Sequence, residues 1–522
     1  MNPDISDGTA AFGRRDVLIV LAALGLTAGA PDVARAAAPG GKLTWGVHVS
    51  LAPTWFDPAE TSGIVTPYMV MYALHDALVK PMPGNPYAPS LAESYTAAAD
   101  GLSYAFVLRE GIKFHNGEPV TAEDVKFSFE RYRGTAAKAM HDRVASIETP
   151  DTGHVVFNLK APWPDFLMFY SSATGAGWVV PKKYLDKVGD DGFKKAPIGA
   201  GPYKFVSFKP GLELALEAFS TYWRKTPSVK DLLFRSIPEQ STRLAALKTG
   251  EIDLLHWVSG ELAVDLRRSP GLTLKPALVQ TTFWLYFPEQ FDPKSPWHDA
   301  RVRRAASLAL DRKTMNEALT LGFSKLTNNI VAEHFEYYAK QPAPVHDLAK
   351  AKQLLTEAGH PDGIDAGSLY CDAPFSAVAE AAVNGLAEAG IRASLRPMER
   401  AGFYKAYGSK QFKGLVMGGT GAFGNAATRL ESFVVGGGTY SYGSYPDIDD
   451  LFKQQANEMD PKKRGAQLGK IQDLMTERTI YAPIWQLAAL AGVGPRVGES
   501  AFGLIAGYPW TSPYEDITLK TV

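Results

Sequence analysis

The feature that most constrains the fold is an alternation of short apolar strands with amphipathic helices after residue 300. Apolar residues recur at helical spacing over 302–315, 348–358, 376–389 and 463–478, and short strand-like runs occupy 367–371, 393–397 and 415–417. Earlier in the chain, 65–79 also has helical periodicity and predicts a helix. Strands that alternate with helices form parallel βαβ units. The pattern therefore predicts an α/β fold.

The N-terminus has the pattern of an export signal. Arg14 and Arg15 precede an apolar run over 17–26, and small residues lead to Ala34-Arg35-Ala36. Paired arginines before such a run are typical of twin-arginine export. The run is shorter than the ~20 residues that an uncleaved membrane anchor needs. We therefore expect 1–36 to be a cleaved signal and the mature chain to be a soluble periplasmic protein.

The composition excludes several classes of protein. The 522-residue chain has a net charge of −1, so it has no basic surplus to attract nucleic acid. Its one cysteine, Cys371, allows neither an intramolecular disulfide nor a cysteine-based metal cluster. The length predicts two or three domains. We expect no cofactor and no metal.

A strand, a glycine turn and a helix form the most distinctive motif. Residues 102–109 alternate like a half-buried strand, 111–117 form the turn, and Thr121 begins a helix as its N-cap with Asp124 at the third position. Further motifs occupy 91–94, 197–203, 247–253 and 299–305. Together, over roughly residues 40–520, they resemble the family 5 extracellular solute-binding proteins, the dipeptide, oligopeptide and nickel binders of bacterial ABC importers.

This resemblance implies a periplasmic-binding-protein-like α/β protein with two ligand-clasping lobes and an additional lobe. Lobe I would comprise 40–75, 198–282 and 490–522, lobe II 76–197, and lobe III 283–489. A small molecule or peptide would lie between lobes I and III, and the chain, as a monomer, would deliver it to an ABC permease in the inner membrane.

The polar residues of the motif are expected to be structural rather than catalytic. His115 lies beside a glycine turn, and Glu123 and Asp124 begin a helix. An exported hydrolase is an alternative, but Gly-x-Ser-x-Gly and His-Glu-x-x-His motifs are absent from the sequence. A ligand sensor for a membrane receptor would use the same lobe closure, so that alternative stays open.

Three loops of the third lobe are candidates for ligand contact, because ligands of parallel α/β sheets lie outside the carboxyl ends of the strands. The candidates are Asp372 and Phe375 in 371–375, Arg400 in 398–401, and Thr420, Gly421 and Phe423 in 418–424.

The third loop bears on the charge of the ligand. In peptide-binding relatives it resembles a Trp-x-Ala-Asp-Tyr pattern whose aspartate holds the peptide's ammonium group. Thr420 stands at the matching position, and no acid lies between Lys413 and Glu431. A buried ammonium without a carboxylate is strongly disfavoured. We expect a neutral or anionic ligand there, so simple dipeptides should bind to this protein poorly. The alternative is a displaced ammonium anchor, such as Asp372.

The same loop spells Gly-x-Gly-x-x-Gly from Gly419 to Gly424, which also occurs in dinucleotide sites. Such a site needs an acid ~20 residues further on, at the end of a second strand. Asp447 and Asp449 lie near that distance. The alternative is that the glycines let the backbone approach a ligand closely.

Aromatic residues are the remaining candidates for ligand contact. Trp284 and Tyr286 alternate on a strand expected to cross between lobes, Tyr440 and Tyr442 alternate in a glycine-rich loop, and Trp485 and Trp510 lie near the end of the chain. Each of them also suits core packing. As a set they predict a ligand with an apolar or aromatic part.

The export signal generates a direct prediction. Cleavage after Ala36 should leave a mature chain that begins at Ala37. Mass spectrometry of periplasmic material should give the mass of residues 37–522. An intact N-terminus on membrane-bound protein would contradict this.

Overall fold

Two long strands in the second half of the chain hold the largest sheet together. The computed structural model describes residues 38–60, 66–134, 136–171, 174–508 and 510–520. The predicted signal over 1–36 lies outside the described residues. Pro39–Val522 forms one compact unit, so the predicted lobe boundaries stay a prediction.

The strands follow each other along the whole chain. They are β1 (Gly40–Val47), β2 (Asp76–Ala77), β3 (Val79–Met82), β4 (Asn85–Pro89), β5 (Ala92–Ala97), β6 (Ser103–Leu108), β7 (Val144–Asp151), β8 (His154–Leu159), β9 (Trp178–Val179), β10 (Tyr203–Lys209), β11 (Glu213–Ala218), β12 (Val229–Ser236), β13 (Leu254–Leu255), β14 (Thr273–Tyr286), β15 (Lys325–Leu326), β16 (Ile364–Asp372), β17 (Ile391–Met398), β18 (Leu415–Thr420), β19 (Tyr481–Val493), β20 (Val497–Glu499) and β21 (Thr518–Leu519).

The α-helices lie between these strands. They are α1 (Tyr68–Leu74), α2 (Ala122–Glu130), α3 (Ala137–Arg143), α4 (Phe166–Ser171), α5 (Lys182–Lys195), α6 (Gln240–Lys248), α7 (Gly260–Arg268), α8 (Ala300–Leu308), α9 (Arg312–Thr320), α10 (Leu348–Glu357), α11 (Ser376–Glu388), α12 (Arg400–Gly408), α13 (Ala426–Phe433), α14 (Pro446–Gln455) and α15 (Pro461–Glu477).

The large sheet has the strand order β10-β11-β12-β1-β13-β19-β14-β18-β16-β17, and β15 pairs with β19 outside this path. β1 is parallel to β12 and β13. At the other end β16 is parallel to β17 and β18. We call β10, β11, β12, β1 and β13 the β1 side of the sheet, and β16, β17 and β18 the β16 side.

Helices connect the parallel strands of the β16 side, as the sequence pattern predicts. α11 lies between β16 and β17, and α12 lies between β17 and β18. The buried face of α11, with Ala379, Ala382 and Leu386, belongs to the same hydrophobic core as Leu369 and Cys371 of β16. These βαβ units confirm the α/β fold.

A separate antiparallel sheet, β5-β6-β8-β7, contains the glycine-turn motif. α2 packs on it and begins with a full capping box: Asp124 N–H donates to Thr121 Oγ1, and Thr121 N–H donates to Asp124 Oδ2 at 2.9 Å. This confirms the predicted N-cap.

His115 packs the glycine turn, as expected of a structural histidine. Gly199 N–H donates to its Nδ1 at 3.2 Å, and its Nε2 lies 3.0 Å from the carbonyl oxygen of Gly201. Burial lowers the pKa of His115 to about 3, so the ring is uncharged at neutral pH.

Two predicted helices differ from the structure. The apolar run over 65–79 is helical only in α1, because the next residues enter β2 and β3 and form a buried ion pair between Asp76 and Lys80 at 2.9 Å. An apolar run buried on all sides has no periodicity that separates helix from strand. The predicted helix 302–315 is two helices, because Asp311 begins α9 as an N-cap.

Gly199, whose N–H bonds His115, packs so closely against Leu74 and His75 that there is no room for a methyl side chain. A Cβ there would lie 2.0 Å from the carbonyl oxygen of Leu74 and 2.5 Å from Nδ1 of His75. Gly199→Ala should lower the free energy of unfolding by about 1–3 kcal/mol through overpacking. Gly402→Ala is the control, because nothing lies within 4 Å of its Cβ position in α12 and alanine favours a helix. Thermal unfolding that shows equal midpoints for both variants would contradict this account.

Candidate ligand-binding cleft

The parallel strands on the two sides of the large sheet direct their carboxyl ends toward the middle of β14 and β19. β13 is antiparallel to β19 and β18 is antiparallel to β14. Their registers show that β13 runs toward the middle of β19, whereas β18 runs toward the middle of β14 from the opposite side. Since ligands lie outside such strand ends, the middle of the paired strands β14 and β19 marks the floor of the candidate cleft. We call this middle part the crossing, because there the chain passes from one side of the sheet to the other.

On the β1 side, the residues that follow the strands form an aromatic wall with Trp510. His48 follows β1 with its ring centroid 4.4 Å from that of Trp510, and Trp257, two residues after β13, lies 5.4 Å from Trp510. Burial, with the nearby guanidinium of Arg243, lowers the pKa of His48 to about 4. The wall is therefore apolar and uncharged at neutral pH.

On the β16 side, the loop after β18 is tied to neighbouring elements. The Gln280 amide donates to the carbonyl oxygen of Gly421 at 2.7 Å. A Cβ at Gly418 would lie 2.3 Å from Nε1 of Trp284, and one at Gly419 would lie 2.8 Å from Cδ1 of Phe283. These two glycines let β18 pack against the aromatic side chains of β14, so their role lies in protein packing.

The dinucleotide-site interpretation of this loop is wrong. α13 begins only at Ala426, after the last glycine, and it has Asn425 as its N-cap. Asp447 and Asp449 lie in the first turn of α14. Neither ends a strand, as the acid of such a site must.

Asp372 and Arg400 lie together at the ends of β16 and β17. Arg400 Nε is 2.9 Å from Asp372 Oδ2, with the Asp372 side chain 3% exposed and that of Arg400 60% exposed. The contact is an ion pair rather than a well-aligned hydrogen bond, since neither carboxylate oxygen has a hydrogen-bond partner among the described residues. The Arg400 guanidinium also lies over the ring of Phe375, 5.8 Å from its centroid. Asp372 is therefore already committed to a cation of the protein.

Phe423 joins the two sides of the cleft. Its ring stacks on Tyr508, with centroids 4.0 Å apart, and lies 5.7 Å from the ring of Tyr68 on α1. Phe423 and Tyr508 line a cavity of about 240 Å³. The other walls of this cavity come from the β3–β4 hairpin, including Tyr87, and from His334, Phe335 and Glu336.

Three predicted contact residues lie inside hydrophobic cores. Trp284 and Trp485 are 0% exposed and Tyr286 is 1% exposed. Trp284 packs edge-on against Phe433, and Tyr286 stacks on Tyr481. Both faces of this sheet are covered, so strand alternation does not select a ligand-facing side. The structure places these three as packing residues.

The remaining predicted aromatics form a half-buried layer against α12. Tyr440 stacks on Phe433, and the Tyr407 ring lies 4.9 Å from that of Tyr440. The Tyr442 hydroxyl accepts from Phe412 N–H at 3.1 Å, and its own N–H donates to the Tyr286 hydroxyl. Thr420 is half-buried at the end of β18, where its hydroxyl accepts from Ala422 N–H.

Buried polar groups fasten the crossing itself. Arg429 donates to the Thr282 hydroxyl and to the Ile330 carbonyl, both at 2.9 Å. Gln486 donates to the Val279 carbonyl at 2.8 Å and accepts from Glu333 N–H. Burial lowers the pKa of Arg429 to about 9, so it stays charged at neutral pH.

Several cleft residues escaped the sequence analysis. His48 comes directly after a short apolar run and Trp257 comes two residues after another, and this position was the signal that could have identified them. His334 and Glu336 lie in the irregular stretch between β15 and α10, which has no periodicity. Tyr87 and Tyr508 likewise reach the cavity only through tertiary structure.

Within the described ranges, no three or more histidine, cysteine, aspartate or glutamate side chains are grouped so as to hold a metal ion. Among the helices of the same ranges, none is long and apolar enough to span a bilayer. Cys371 is buried, and burial with the nearby Asp372 raises the pKa of its thiol to about 11.

The chain is similar in sequence to a family of bacterial binding proteins. Residues 86–441 match the sequence profile of the bacterial extracellular solute-binding proteins, family 5 middle part. The glutathione-binding protein GsiB of Salmonella typhi is 28% identical over 320 residues, or 59% of this chain and 60% of that protein. The aligned region thus spans about 60% of the length of this relative.

Solved structures show the same fold. The ABC transporter substrate-binding protein CtaP of Listeria monocytogenes has a TM-score of 0.79 at 22% identity, covering 92% of this chain and 99% of that one. HbpA2 of Haemophilus parasuis has a TM-score of 0.78 at 23% identity, covering 92% and 100%. The predicted periplasmic-binding-protein-like fold class is confirmed.

The Asp372–Arg400 pair can be tested by a double-mutant cycle. Arg400→Ala leaves a buried carboxylate without its cation, which should lower the free energy of unfolding by about 1–3 kcal/mol. Adding Asp372→Asn should recover most of this loss, because the uncompensated charge is removed. Thermal unfolding of the four proteins measures the coupling. Full additivity of the two substitutions would show that the pair is not coupled.

Proposed function

The chain belongs to the bacterial extracellular solute-binding proteins of family 5, and we propose that it captures a small organic solute in the cleft at the crossing of β14 and β19. It then delivers this solute, unchanged, to an ABC importer. We further propose that it acts in the periplasm as a monomer after removal of its N-terminal signal, without a nucleic-acid partner.

The observation that carries this proposal is the convergence of strand ends from both sides of the sheet on the crossing. Apolar side chains near the crossing stay uncovered: Leu278 is 37% exposed and Leu504 is 40% exposed. An isolated bridge pairs Val279 with Gly507, which brings the segment of Leu504 to the floor of the cleft. Uncovered apolar side chains beside an aromatic wall favour a ligand with an apolar part.

Capture without conversion fits the chemistry of the walls. Burial, with the guanidinium of Arg243, lowers the pKa of His48, and burial, with His48 and Arg243, lowers the pKa of His256, so both rings are neutral at neutral pH. No carboxylate among the described residues contributes to these shifts as it would in a histidine–acid pair. Binding is therefore the function that these walls support.

The size of the ligand follows from the cavity and the relatives. The cavity of about 240 Å³ holds one end of a small molecule rather than a folded partner. GsiB is named for glutathione, and we propose a solute of comparable size for this chain. A dipeptide or short peptide remains the alternative within the same class.

Ligand capture predicts measurable stabilisation and closure. A thermal-shift screen over peptides, opines, sugar conjugates and aromatic amides should identify a compound that stabilises the protein by several kcal/mol at ~1,000 times its Kd. Solution scattering with that compound should give a smaller radius of gyration, because the ligand favours the closed state. Chromatography should return the compound unchanged. A tight ligand that leaves the radius unaltered, or is consumed, would contradict the proposal.

A further inference from the structure

The cavity beside Phe423 has a charge pattern that the strand-end loops lack. Among its lining residues Glu336 is the only carboxylate, and none is a lysine or arginine. Tyr87 donates its hydroxyl to Glu336 Oε2 at 3.0 Å, which orients the carboxylate from the opposite wall. The exposed Glu336 thus lies in the wall of a cavity whose other lining residues are apolar or polar without an acidic group.

The basic side chains near Glu336 are engaged elsewhere. Lys325 pairs with Glu333, and Arg464 binds Asp165 through both guanidinium nitrogens, at 2.8 and 2.6 Å. Glu336 forms no ion pair within 4.0 Å in the part of the chain that the structure describes. Its negative charge is therefore not neutralised by the protein.

The histidine of the cavity does not neutralise it either. Burial, with the nearby guanidinium of Arg429, lowers the pKa of His334 to about 4, so its ring is uncharged at neutral pH. Arg429 itself lies behind the ring of Phe335, 5.1 Å from its centroid, and its guanidinium is bonded to Thr282 and Ile330. Glu336 is therefore the one charged side chain among the described residues that line the cavity, and the Arg429 cation lies behind Phe335 rather than in the lining.

Four aromatic rings line the cavity, those of Tyr87, Phe335, Phe423 and Tyr508. Phe423 and Tyr508 stack on each other with their planes 15° apart, so these two rings offer apolar surface rather than free faces. Aromatic lining suits the carbon body of a ligand. A carboxylate and aromatic rings around one cavity are therefore complementary to an organic cation with an apolar body.

We propose that this cavity is the subsite for an ammonium group of the solute, with Glu336 as its counter-ion and the aromatic rings around its carbon body. The proposal rests on the proposed function, because it assigns one end of the same ligand. It places the acid in the stretch between β15 and α10, since the loop after β18 contains none and Asp372 is paired with Arg400.

Three probes with one phenylethyl body test the charge preference. Calorimetry with 2-phenylethylamine, its N-acetyl derivative and 3-phenylpropanoate compares a cation, a neutral amide and an anion. The amine should bind at least about tenfold more tightly than either of the others. Equal or tighter binding of the amide or the anion, or no binding of the amine at millimolar concentration, would overturn the proposal.

Two matched variants assign the effect to Glu336. Glu336→Gln keeps the shape of the side chain and should weaken amine binding by at least about tenfold. Glu333→Gln, three residues away and outside the cavity lining, should keep the wild-type affinity within about twofold. Unchanged amine affinity in Glu336→Gln, with a wild-type unfolding midpoint, would refute the assignment.

The result separates the subsite from the function. A solute from the thermal-shift screen that binds wild type and Glu336→Gln with equal affinity would refute the proposed subsite but not the proposed capture of a solute. A screen with no ligand in any class would instead count against solute capture itself.

Discussion

The pairing of β14 with β19 is the interaction on which the rest of the structure depends. The two strands stay antiparallel from Thr273 beside Val493 to Tyr286 beside Tyr481, and their register shifts between Leu278 and Thr282 and again between Phe283 and Trp284. The β1 side is attached to this pair through β13 and the β16 side through β18. Each side pairs with a different end of the β14–β19 ribbon. The antiparallel registers of β13 and β18 direct the carboxyl ends of the parallel strands on both sides toward the middle of the ribbon.

The middle of that ribbon is where ordinary ladder pairing is interrupted, and buried side chains take over. The register shifts between Leu278 and Thr282, and Gln486 then bonds the Val279 carbonyl, while Arg429 bonds Thr282. A buried polar group without a partner costs about 1–3 kcal/mol, so these bonds hold the crossing in one geometry. A fixed crossing beside the exposed apolar side chains of Leu278 and Leu504 allows a ligand, rather than the chain, to supply further contacts between the two sides.

The sequence predicted regular structure well and side-chain exposure poorly. The strands of the β16 side, the N-cap at Thr121 and the packing role of His115 followed from local patterns, because periodicity and capping act over a few residues. Trp284 and Trp485 could not be separated from cleft aromatics, since both faces of the sheet are covered. Glu336 could not be found at all, because it reaches the cavity through a stretch without periodicity.

Arg400 and the cavity beside Phe423 differ in charge, and this difference bears on how a solute that contacts both would lie. Near the ends of β16 and β17, Arg400 is 60% exposed while its partner Asp372 is 3% exposed, so the cation is the group that solvent or a ligand meets. At the cavity, Glu336 is exposed and its basic neighbours bind other acids. Charge complementarity fixes orientation more than affinity. With Glu336 as the proposed ammonium partner, a solute long enough to contact both groups would bind in a single direction, its acidic or carbonyl end toward Arg400 and its ammonium toward Glu336.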